Sequence, residues 1–237
     1  MKLARPDIRH PRIVLAERSG ADAEHYVASG DDEGLVGALR GRGLPAHWTA
    51  WDDPDTARAD LVILRSAGDD SMLGDRRDEF LAWTRGVPNL LNGPDVIAWN
   101  ADEQHLADLT RAGVPMRSGT PGETPTALIF VAGTQSHAFT GEAPVEADFG
   151  LWDVGYSALD AAADRVGISP TELLYARVDV TGGPGDAHLV DVDLIAPALG
   201  WHVLDTAARN TAQRQFALGV ESALERLGLG PLSHRRP

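Results

Sequence analysis

The chain has no cysteine and a single lysine, Lys2, so arginine supplies nearly all of its positive charge. Without cysteine there can be no disulfide, no thiolate metal ligand and no cysteine nucleophile. Aromatic residues make up only 6% of the 237 residues, although six are tryptophan and read as core material. No apolar run reaches the roughly 18 residues that a membrane span needs. The opening residues, Met1 to Asp7, lack the apolar centre of a signal peptide. A cytoplasmic location with no membrane partner is the resulting expectation. Basic residues are scarce as well, and the formal net charge is −14. Phosphate backbones are held by clustered Lys and Arg, whereas here the basic residues are mostly scattered arginines, apart from Arg9/Arg12 near the start and Arg235-Arg236 at the end. Nucleic acid is therefore not an expected partner, and the acidic surface serves solubility.

What remains is ordinary for a globular chain, with 43% hydrophobic and 24% charged residues, enough for one large domain or two small ones. Short apolar runs at Arg12–Ala16, His47–Trp51 and Ala59–Arg65 read as strands, with a short one at Asn89–Asn92. Between them lie helical patterns at Glu33–Gly43, with Asp31 or Asp32 as N-cap, and at Glu79–Arg85, and a longer one follows at Val96–Ala112. Alternation of strand and helix predicts a mainly parallel α/β domain over residues 1–115. A stretch rich in Gly, Pro, Ser and Thr then leads into a different pattern over residues 116–237. There, strands at Ala127–Ala132 and around His137 precede a helix at Tyr156–Val166, a charged hairpin, and a last helix at Asn210–Leu227. That pattern predicts an α+β second domain.

The hairpin is the most informative segment. Leu174-Tyr-Ala-Arg-Val-Asp-Val180 and Leu189-Val-Asp-Val-Asp-Leu-Ile195 flank a Gly/Pro turn. Alternate residues of a strand share a face, so Arg177 goes with Asp179, and Asp191 with Asp193. If the two faces coincide, three carboxylates and one guanidinium meet on one patch. Hard cations such as Mg²⁺ take carboxylate oxygens. The other reading is a hairpin with one solvated, charged face, as antiparallel sheets commonly have.

Five stretches resemble the ATP-grasp superfamily, in the branch similar to the cycloserine-forming ligase. They are Trp51-Asp-Asp-Pro54 with Asp60-Leu-Val-Ile-Leu-Arg-Ser66, Trp99-Asn-Ala-Asp102 with Leu109 to Pro115, Gly133-Thr-Gln-Ser-His-Ala138, and the two hairpin strands. The resemblance implies an N-terminal α/β domain joined to an ATP-grasp domain that activates a carboxylate as an acyl phosphate for attack by an amine. It implies that Arg177 offsets charge on the transferring phosphoryl group, and that Asp179, Asp191 and Asp193 hold Mg²⁺ or Mn²⁺. In that setting His137 of the Ser136-His-Ala138 motif is a candidate metal ligand or general base, with a hydrogen-bonded sheet histidine as the other reading. His202 is a candidate for a mixed His/carboxylate metal site with Asp191 and Asp193, and His188 is expected at the surface.

Several positions depart from the family pattern. Ten residues separate Pro115 from Thr126, where the family inserts a lid domain that grips ATP. So short a segment cannot build a sheet-plus-helix subdomain. Glu103 stands where the family has a lysine, Gly150 where it has an arginine, Ala67-Gly-Asp-Asp70 in place of its motif after the third strand, and Ala196 where it has a glutamate. Asp191 and Asp193 are each one methylene shorter than the family's glutamates. The fold expected is thus an N-terminal parallel α/β domain plus a truncated ATP-grasp-like domain, without ordinary ATP-dependent ligation. Three functions stay open: a pseudoenzyme that binds a small molecule or supports a partner enzyme, a repurposed metal-dependent enzyme of amino-acid-derived metabolism, and a ligase completed by another chain. Loss of the lid uncovers a face that Trp152 and Trp201 are placed to cover or use, and it predicts a homodimer.

Overall fold

The computed structural model describes residues 10–17, 31–65, 76–117, 123–183 and 185–230. Arg9, Ser66, residues 67–70, residues 118–122 of the short linker and Arg235-Arg236 lie outside them.

The first half builds a parallel sheet. Strand β1 (Ile13–Glu17) lies between β2 (Ala46–Ala50) and β3 (Leu61–Leu64), and β4 (Leu90–Leu91) closes the far side of β3. All three pairings are parallel. The unbroken apolar runs of β1 and β3 arise because both faces are covered. Ile13, Leu15, Leu61 and Ile63 face one core, while Val14, Ala16, Val62 and Leu64 face another containing Trp51 and Phe80. Helix α1 (Leu35–Gly41) packs on the first face and α2 (Arg77–Gly86), which carries Phe80, on the second.

Two features differ from the sequence reading here. Neither Asp31 nor Asp32 caps α1. The N-cap is Gly34, with no side-chain capping bond, because both carboxylates are engaged across the molecule. The helix expected over Val96–Ala112 is two helices, α3 (Pro94–Asn100) and α4 (His105–Arg111). Asp102 breaks it. Its carboxylate accepts from Gln104 N at 2.8 Å, and its carbonyl accepts from His105 N at 3.0 Å. Such local bonds offer the backbone an alternative to continuing the helix.

The second half builds an antiparallel sheet in the order β7-β6-β5-β8-β9. Strands β5 (Thr126–Val131) and β6 (Thr134–Thr140) form a hairpin, β7 (Ala143–Val145) is a short edge, and β8 (Tyr175–Thr181) and β9 (His188–Asp193) form the charged hairpin. The tight β5–β6 turn places Ala132 and Gly133 at φ 49° and 74°, the left-handed pair that two-residue hairpins require. A side chain at Gly133 would also come within 2.9 Å of the Pro170 backbone.

Helix α5 (Phe149–Val166) starts earlier than its apolar pattern suggests, because Asp148 caps it by accepting from Gly150 N at 2.9 Å. It covers the face bearing Leu128, Phe130, Val178 and Val192, to which α3 and α4 add Val96, Trp99 and Leu109. The opposite face carries Ala127, Ile129, Val131, Phe139 and Tyr175. These join Ile13 and Leu15 of the first sheet and Phe216 and Val220 of the last helix, α6 (Thr206–Arg226), in one continuous core. Trp201 sits inside that core at 0% exposure, edge-on to Phe216. It is not a surface aromatic, whereas Trp152 is half-buried against Phe130. No described helix is long and apolar enough to cross a membrane.

Candidate functional site

Strand β8 runs from this core to an open edge, and its alternate residues Tyr175, Arg177 and Asp179 change character along the way. Tyr175 is fully buried, with its hydroxyl 2.8 Å from the carbonyls of Leu64 and Ile195. Around it, polar side chains tie the two sheets together. Asn92, in the left-handed region at φ 53°, donates to the carbonyls of Tyr175 and Leu194 and accepts from Leu174 N, each at 2.8 Å. Asn100 donates to Val192 O and accepts from Leu194 N. Arg65, with no exposed side-chain surface, donates to Asp32 through Nε and Nη2 at 3.0 and 2.8 Å and to Pro197 O at 2.8 Å. Sequence reading assigned no role to Arg65, Asn92 or Asn100. A lone Arg or Asn at the end of a strand or helix gives no spacing signal until the second sheet is docked on it.

Two residues further along β8 the site opens. Arg177 pairs directly with Asp193 across the β8–β9 ladder, and Asp179 with Asp191. The two charged faces therefore coincide, which the alternation left conditional. Their partners then diverge. Arg177 Nε donates to Asp179 Oδ1 at 2.9 Å. Asp193 accepts from Ile195 N at 2.9 Å. Asp191 points outward, half-exposed, with His105 Nε2 at 3.4 Å from its Oδ1. Burial pushes the Asp179 carboxyl above the usual carboxylate range; Arg177 works against this and Asp191 adds to it. Burial also raises Asp193, against the backbone N–H of Ile195, with the Asp191 charge adding to the rise.

These carboxylates have the donor chemistry of a Mg²⁺ or Mn²⁺ site, but each is turned to a different partner. Among the described residues no group of three His, Asp or Glu is gathered to hold a metal ion. In this arrangement the carboxylates share a face without converging on one point, and no chemistry is routed through an ion.

The histidines fall into two states. His137 Nε2 donates to Leu199 O at 2.7 Å and Nδ1 lies 3.1 Å from the Ser136 hydroxyl. One nitrogen faces a carbonyl acceptor and the other a hydroxyl, and burial holds the pKa of the ring below the ordinary value. Both nitrogens are thereby occupied away from the acidic hairpin. His202 instead has carboxylates on both sides, Asp31 at 3.0 Å from Nδ1 and Glu142 at 3.2 Å from Nε2. Burial opposes its charge, but the two carboxylates outweigh burial and raise its pKa. It does not join Asp191 or Asp193. His105 likewise faces two acceptors, Asp102 O and Asp191, which outweigh burial and raise its pKa. His188 lies beside the hairpin turn, bonded to Asp186 O.

A cavity of about 280 Å³ opens beside Arg177, lined also by Phe139, Glu142, Ala198 and His202. The Arg177 guanidinium carbon stands 5.4 Å from the centre of the Phe139 ring. Among the described residues only its Nε is hydrogen-bonded, to Asp179. Gly200, at φ 66°, lets the chain between Leu199 and Trp201 pass where any side chain would strike Phe139.

Comparison with known proteins fits this geometry. The family model described as "D-cycloserine synthetase DcsG, N-terminal domain" matches residues 13–92. Among solved structures, D-cycloserine synthetase DcsG aligns with a TM-score of 0.70 at 20% identity, covering 91% of this chain and 99% of that one. The fold is ATP-grasp-like. D-alanine–D-alanine ligase from Bacillus anthracis aligns at 0.61 and 11% identity over 92% and 98% of the two chains. The ATP-grasp ligase PsnB, solved with a phosphomimetic variant of its minimal precursor, Mg and ADP, aligns at 0.53 and 13% identity over 92% and 99%. No match was found among curated proteins. The ATP-grasp-like architecture expected from the motif resemblance, truncated by the short segment after Pro115, fits the structure observed.

Proposed function

We propose that this ATP-grasp-like chain keeps the ligand-holding part of a ligase site without the ligating part, and binds a small anionic molecule beside Arg177. The observation that carries this is the state of Arg177. It lines a cavity and, among the described residues, only its Nε is hydrogen-bonded, while the acids that would surround a bridging metal are engaged by Arg177 itself, by a backbone N–H and by His105. A planar guanidinium with unpaired donors in a partly enclosed pocket suits a carboxylate or phosphate group. Phosphoryl transfer would demand more: positioned nucleotide phosphates and several cations around them. Here Lys2 is the only lysine, and ten residues stand where a nucleotide lid would be inserted.

Supporting a partner enzyme, and pairing with a second copy, belong to the same proposal. Phe149, 81% exposed at the start of α5, is the apolar side chain such a contact would cover. The deciding experiment combines two readouts on the purified chain. Inorganic phosphate is expected to bind by calorimetry and to lose binding in Arg177→Ala. Mg²⁺-ATP with a panel of small carboxylates and amines is expected to yield no ADP. ADP release that depends on both a carboxylate and Arg177 would overturn the proposal and restore the ligase reading.

A further inference from the structure

We infer that Glu142 is an internal placeholder for the ligand's anionic group, and that an incoming anion displaces it to bridge Arg177 and His202. The inference rests on the Arg177 reading above and extends it to a second binding residue and to a mode of regulation.

His202 is positioned with unusual firmness on one side only. Its Nδ1 faces Asp31, a carboxylate buried to 4% exposure. Asp31 is itself held by the backbone N–H groups of Leu199 at 2.8 Å and Trp201 at 2.7 Å. Those bonds fix the ring and aim Nε2 at the cavity wall. There it meets Glu142, whose side chain is 88% exposed on the β6–β7 turn. An exposed carboxylate held by one contact of 3.2 Å is weakly attached. Nε2 therefore faces a carboxylate that can leave, on the wall of the cavity that Arg177 lines. The carboxylate already seated there shows which chemistry that position accepts.

The charges around the ring are accounted for on each side. Asp31 and Glu33 come from the segment before α1, Arg65 lies 3.7 Å from Asp31, and Arg209 of α6 reaches the carbonyls of Trp201 and His202 and also Glu33. Glu142 faces the ring from the turn, and Arg177 lines the shared cavity. Arg65 is shared between Asp31 and Asp32, at 3.7 and 2.8 Å, and Arg177 is paired with Asp179, so removal of Glu142 makes the cavity wall less negative by one charge. The raised pKa of His202 gives the pH sign. The imidazolium is fully present below the ordinary histidine value and is lost as pH rises through the folded value, so anion affinity falls on the alkaline side.

Sulfate is the probe, because its charge is constant across the relevant range. Calorimetric titration of the full chain at about pH 6 and about pH 8.5 is compared with Glu142→Gln, Arg177→Ala and His202→Asn. Glu142→Gln removes an exposed competitor without disturbing the core, and is expected to tighten sulfate binding about two- to fivefold. The same variant is expected to lower the His202 pKa measured by NMR, and saturating sulfate to raise it again. His202→Asn is expected to weaken binding and to flatten its pH dependence. If sulfate binding needs Arg177 but is unchanged in Glu142→Gln, with the His202 resonance unmoved by sulfate, the placeholder inference fails and the Arg177 reading stands. If neither wild type nor Glu142→Gln binds sulfate, both fail.

Discussion

Two arginines at the ends of neighbouring structural layers show how the same side chain serves opposite purposes. Arg65, at the end of β3, is fully buried and spends its donors on Asp32 and Pro197 O, with the rings of Tyr175 and Trp201 within 6 Å of its charge. Arg177, on β8, gives one donor to Asp179, rests on Phe139 and lines a cavity. The first closes the joint between the two sheets. The second ends where that joint opens. The difference lies in what surrounds each guanidinium, since buried charge is tolerated only when fully partnered, and a binding residue must retain donors that its own protein leaves unused.

The largest effect should come from breaking the closed arginine. Arg65→Ala leaves Asp32 and Asp31 buried without their cation and is expected to cost about 3–5 kcal/mol, which for a chain of ordinary stability means mostly unfolded protein. Urea denaturation followed by circular dichroism measures it. Asn92→Ala ranks next. It removes three buried hydrogen bonds and leaves an alanine in the left-handed region, for an expected cost of about 2–4 kcal/mol. Asn92→Gly relieves only the backbone part, so it should lie between alanine and wild type. If Asn92→Ala were neutral, the picture of a polar joint between the sheets would be wrong.

The open arginine was more legible in the sequence than the closed one, and the reason is physical. Arg177, Asp179, Asp191 and Asp193 sit at period-two spacing on two strands joined by a turn, a pattern that local chain geometry alone converts into a shared face. The parallel sheet was readable because β1 and β3 are unbroken apolar runs. Asp31 and Asp32 carried a signal too, but a misleading one. Acids before a helical pattern read as caps, whereas tertiary partners 33 to 171 positions away claimed both carboxylates. The break at Asp102 was missed because its side chain bonds its own backbone, which an apolar period cannot register. The pairing of His202 with Glu142 spans 60 positions and depends on how the second sheet meets the loop after β9. Asp179 and Asp193 turn to partners two positions away, Arg177 and Ile195 N, while Asp191 turns to the distant His105, so spacing placed the three on one face without saying whether they would converge.

The smallest expected effect gives the finest test of the comparison. In a double-mutant cycle, Arg177→Met, Asp179→Asn and the pair together report how strongly the open ion pair is coupled. Asp179 is 18% and Arg177 27% exposed, so water screens part of their attraction, and the coupling should be on the order of 1 kcal/mol or less. Asp179 can also escape an unpaired charge by taking up a proton, since burial already holds its pKa high. Loss of Arg177 should raise that pKa further, and the Asp179 carboxyl resonance should then titrate nearer neutral pH in Arg177→Met. The matching cycle on Arg65 and Asp32 should give a larger coupling, on the order of several kcal/mol, because both side chains are buried and water screens little of their attraction. Equal couplings at the two sites would mean that Arg177 is a structural residue like Arg65. The cavity beside it would then be a packing gap, and the anion would have to be sought elsewhere.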